Sequence, residues 1–63
     1  MVFIIKPKND DITIVDLVIA ILKQYKKVVI SYCKYFALVN FSGEITAAEI
    51  EKKLPCQAIP KDS

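Results

Sequence analysis

The sequence predicts one small α+β domain whose elements run strand, helix, strand, strand, helix, strand. Three observations carry this prediction. The chain has 63 residues, enough for one hydrophobic core and too few for a second. Apolar side chains make up 54 per cent of it, which excludes a disordered chain. Its apolar runs alternate between short β-branched stretches closed by turn formers and longer stretches spaced by three and four.

Val2 to Lys6 (VFIIK) is a β-branched and aromatic run closed by Pro7, and reads as a strand. The turn formers PKNDD follow, and Thr13 then opens a helix as its cap, with Asp16 three residues on. That helix extends from Ile14 to Tyr25. Ile14, Leu17, Val18, Ile21 and Tyr25 form its core stripe, and Val15, Ile19 and Leu22 form a second apolar stripe where a surface helix is polar. Val28 to Tyr32 is the second strand and Tyr35 to Phe41 the third, joined by a tight turn at Cys33 and Lys34. Ser42-Gly43 closes the third strand. Thr46 and Glu49 make a capping box ahead of AAEIEKKL, which Pro55 stops. Cys56 to Pro60 is a short strand whose proline suits a sheet edge.

This order is the ferredoxin-like arrangement, a four-stranded antiparallel sheet in order 4-1-3-2 with both helices on one face. It puts the strands associated with Cys33 and Cys56 at opposite edges, roughly 14 Å apart, too far for a disulfide. Alternation then assigns faces. On the third strand Ala37, Val39 and Phe41 should lie under the helices, leaving Phe36, Leu38 and Asn40 on the open face. On the first strand Val2 and Ile4 should be buried, with Phe3 and Ile5 open. Such a face is too apolar to be left in water.

Composition removes several functions. There is no histidine, and so no Ser-His or Cys-His pair and no His-rich metal site; two cysteines without a C-x-x-C spacing do not make a zinc site. One glycine leaves no phosphate-cradling loop. No catalytic residue, cofactor or metal is expected. No apolar run reaches the roughly 18 to 20 residues of a membrane span, and two cysteines without a disulfide framework point to the cytoplasm. All nine basic residues are lysine, and the net charge of +2 is too weak to imply non-specific polyanion binding by itself.

The run Lys34-Tyr35-Phe36-Ala37-Leu38-Val39-Asn40-Phe41 resembles the third-strand signature of the RNA recognition motif, K/R-G-F/Y-G/A-F-V-x-F/Y. It agrees at the basic position and at Phe36, Ala37, Val39 and Phe41. Val2-Phe3-Ile4 is similar to the companion signature on the first strand. Leu38 stands where a further aromatic is expected, and Tyr35 replaces the glycine. The resemblance implies single-stranded RNA or DNA as partner, with Phe3 and Phe36 stacking on bases, Lys34 at phosphate, and Leu38 and Asn40 on the same face. The competing expectation is a homodimer or protein-interaction module, covered on that face or on the stripe of Val15, Ile19 and Leu22.

Overall fold

The computed structural model describes residues 1–61. Its elements are β1 (Val2–Pro7), α1 (Ile14–Gln24), β2 (Val28–Tyr32), β3 (Ala37–Phe41), α2 (Ala47–Lys53) and β4 (Cys56–Pro60). The strands form one antiparallel sheet in the order β2-β3-β1-β4, the order expected from the sequence. The residues that the strands bury form a single core with those that α1 and α2 bury.

Both helix starts carry the threonine cap expected from their sequences, although the Glu49 carboxylate makes no return bond to the Thr46 amide. The Thr13 hydroxyl accepts the Asp16 amide at 3.1 Å, and the Thr46 hydroxyl accepts the Glu49 amide at 3.2 Å. Each satisfies one of the amides left without a partner in a first helical turn. Before α1, Asn9 makes a turn of its own by accepting the Asp11 amide at 3.0 Å. After β3, Gly43 takes φ 85°, a left-handed conformation that a side chain resists.

The acid that shapes α2 is Glu51 rather than Glu49. Its carboxylate accepts the amide of Ala58 at 2.9 Å, so that α2 holds the edge strand β4 through an amide that faces away from β1. Glu51→Ala is expected to cost about 1 to 2 kcal/mol by leaving that amide unpaired. Glu49→Ala should stay within about 0.5 kcal/mol; urea denaturation of both variants checks the contrast.

The β2–β3 connection departs from the expected turn. Its tip is Lys34-Tyr35, one residue later than predicted, and β3 begins at Ala37 rather than Tyr35. Cys33 donates its amide to the Phe36 carbonyl at 3.0 Å. Every described non-glycine residue keeps negative φ, so the tip is not one of the primed turns that match strand twist, and the ladder starts only at Tyr32 and Ala37. Phe36 therefore precedes the strand.

The face assignment holds for β3 and fails for β1. Ala37, Val39 and Phe41 are buried as expected. On β1, however, Phe3 and Ile5 are the core residues, and Val2 and Ile4 lie half-buried on the open face. The reason is register. Phe3 pairs with Val39 and Ile5 with Ala37, and directly opposed residues share a face. Alternation within β1 could not show this, because Val2 to Ile5 are all apolar. Phe3 is 1 per cent exposed and meets Phe41 edge to face, with ring centroids 5.7 Å apart. Phe41 meets Tyr25 in the same way at 5.0 Å, which ties β1, β3 and the end of α1 into one aromatic line.

Candidate interaction surfaces

Register defines the open face of the sheet. One row across it runs Val29, Asn40, Val2, and the next Ser31, Leu38, Ile4, Ile59, with Lys6 and Gln57 beyond. Leu38 and Asn40 are where the sequence placed them, the first half-buried and the second exposed. Phe3 is not: it points into the core from the opposite face. Phe36 is 36 per cent exposed, ahead of β3 at the mouth of the hairpin, and Lys34 is exposed at its tip. The four strands thus present aliphatic side chains on this face, with Phe36, two residues ahead of Leu38, as the ring nearest to it. Base stacking needs rings standing on the sheet.

A second surface lies along the flank of α1. Val15, Ile19 and Leu22 are 49, 46 and 54 per cent exposed, while Ile14, Leu17, Val18 and Ile21 fill the core. A right-handed crossover carries the chain from β1 through α1 to β2. A rotation of about 100 degrees per residue then turns the exposed stripe toward the β2 edge of the sheet. Ala20, on the opposite flank, is half-buried, as this orientation requires. The edge strand itself reads VVISY, with no proline and no charge, and Val29 is 73 per cent exposed. The sequence signalled the stripe but not its continuity with β2, which is a property of the packing.

A third surface is a groove of about 600 Å³ at the hairpin end of the sheet, lined by Lys6, Lys8, Asp10, Ile14, Lys34 and Tyr35 among others. It gathers Lys34, which the resemblance assigns to phosphate, with Lys6, Lys8 and the exposed Tyr35. The ammonium of Lys34 lies 5.9 Å from the Tyr35 ring centroid, a cation–π arrangement. Lys26 and Lys27 line a separate depression with Glu44.

The cysteines differ in chemistry. Cys33 is exposed and Cys56 buried, and both are free. The Cys33 thiol is held below its ordinary pKa by the backbone amides of Tyr35 and Phe36, since the turn aims them at the sulfur. Burial, with the Glu51 carboxylate nearby, pushes Cys56 up to about 11. Among the described residues no cluster of three His, Cys, Asp or Glu is placed to hold a metal ion, and no helix is long and apolar enough to cross a membrane. Comparison with protein-family models, curated proteins and solved structures yields no match.

Proposed function

We propose that this ferredoxin-like domain is a non-catalytic protein-interaction module of the cytoplasm. The observation that carries the reading is the exposed aliphatic surface that the core does not use, above all Val15, Ile19 and Leu22 on α1. A helix whose other face already fills the core has no folding reason to expose three large aliphatics in one stripe. The aliphatic residues that the four strands set on the open face support the same reading, because Phe36 at the margin alone is no platform of rings for nucleobases.

Single-stranded nucleic acid remains the second reading, on one observation. Lys6, Lys8, Lys34 and Tyr35 share the groove at the hairpin end, and Phe36 adjoins it in sequence. The site would be this groove rather than the sheet face, with lysine acting as a point charge at phosphate. Fluorescence anisotropy with random single-stranded RNA and DNA pools at low salt separates the two readings. The interaction module leaves both pools unbound. Binding that weakens with salt and is lost in Lys34→Ala and Phe36→Ala, both at exposed positions, overturns it in favour of nucleic acid.

A further inference from the structure

Resting on the interaction reading, we infer that the partner is a second copy of this chain, paired antiparallel along β2 about a two-fold axis at Ile30, with α1 laid against its copy.

The backbone sets the register. Cys33 donates to Phe36, and Cys33, Ser31 and Val29 stand opposite Phe36, Leu38 and Asn40. In an antiparallel ladder alternate residues turn their N–H and C=O groups to the same neighbour. Ser31 and Val29 therefore bond to β3, and Val28, Ile30 and Tyr32 turn theirs outward, past the edge. Phe41 confirms the parity from the other strand, since it exchanges bonds with Met1 rather than β2. A copy related by a two-fold at Ile30 sets Ile30 against Ile30 and Val28 against Tyr32. Every outward group of the strand then finds a partner, which a shift of one residue would not achieve.

The side chains favour the same occupant. An isologous contact must complement itself, and β2 and the α1 stripe carry no charge of either sign. The axis that pairs the strands also brings Val15, Ile19 and Leu22 against the same residues of the copy, since the stripe faces the β2 edge. The pairing covers Val29 and Tyr32, both exposed in the single chain. A standard dimer interface takes about 800 Å² per partner, roughly a sixth of the 4531 Å² that this chain exposes. One side of a body with extents of 30 × 21 × 18 Å is of that order. Edge protection is confined to the flanks, where Lys26 of one copy faces Lys34 of the other beyond the strand ends. The dimer should therefore tighten as salt rises, the opposite of nucleic-acid binding.

Sedimentation equilibrium of the full chain at low and high salt, with distances between spin labels on Cys33, tests the inference. The accessible Cys33 takes the label in preference to the buried Cys56. A species of twice 7.1 kDa is expected, firmer at high salt, with labelled backbones roughly 20 Å apart, six residues along paired strands. Ile19→Lys is exposed in the single chain and should weaken the dimer about 100-fold by placing charge in an apolar contact. Ile30→Pro removes an outward N–H that β3 does not use and trims a half-buried side chain packed on the core; it should abolish pairing, and circular dichroism checks that the fold is retained. A protein that is monomeric under all these conditions overturns the inference. So does a dimer with a clearly different label distance, or one that both variants leave intact. A monomer that binds no oligonucleotide overturns only the choice of partner, whereas oligonucleotide binding overturns the interaction reading itself.

Discussion

Phe3→Ala is expected to remove much of the protein's stability at 25 °C. Phe3 is among the largest fully buried side chains and the first ring of the aromatic line through Phe41 to Tyr25. Truncating a buried phenylalanine costs about 3 to 5 kcal/mol, from lost transfer energy and from the cavity left behind. A domain of this size has a total stability of the same order, roughly 3 to 9 kcal/mol. The matched control is Phe36→Ala, which removes a partly exposed ring outside the strand and should cost about 1 kcal/mol or less. Thermal and urea unfolding followed by circular dichroism distinguish the two. A stable Phe3→Ala protein beside an unfolded Phe36→Ala protein would contradict the β1–β3 register. The experiment also bears on function, because any loss of nucleic-acid binding in Phe3→Ala would report unfolding rather than a missing stacking partner.

Alkaline pH is expected to remove stability between about pH 9 and pH 11. Burial is the main cause of the raised Cys56 pKa and the Glu51 carboxylate the second, and together they move it from 9.0 to about 11. A thiol that holds its proton more tightly in the folded chain contributes its full stability below the unfolded pKa. That contribution disappears as pH rises through the folded pKa. Two pH units correspond to at most about 2 to 3 kcal/mol. Tyr25 adds to the loss in the same direction, since burial first, then Glu49 and Cys56, raise its phenol pKa. Urea denaturation at pH 8, 9, 10 and 11 should give falling midpoints, and Cys56→Ala should flatten the profile to the part due to Tyr25. A wild-type midpoint that stays constant across this range would show that the Cys56 thiol is not buried against Glu51.

The elements that local chemistry defines were legible in advance. Thr13 and Thr46 mark the helix starts by supplying a hydroxyl to an unpaired amide, and Pro55 marks the stop of α2. The two stripes of α1 separated into buried and exposed sets because helical period and side-chain type agree there. On β3 the small Ala37 beside Val39 and Phe41 identified the buried face. The hairpin tip was missed by one residue because Cys33, Lys34, Tyr35 and Phe36 include no glycine or asparagine to announce it. Glu51 was missed because a helix acid four residues before a proline looks like any solvated acid until β4 is brought beside it.

What the sequence by itself determined is the set of elements, their order, and the surplus of apolar side chains beyond one core. Each of these follows from interactions within a few residues of the chain. Only the tertiary structure decided which face of β1 is buried, that Phe3 is a core ring, and that the exposed stripe of α1 runs alongside the unpaired edge of β2. These depend on register and packing between residues far apart in the chain, where a shift of one position exchanges the two faces of a strand. Val2 to Ile5 are apolar at every position, so nothing in the run could make that choice until β3 paired with it.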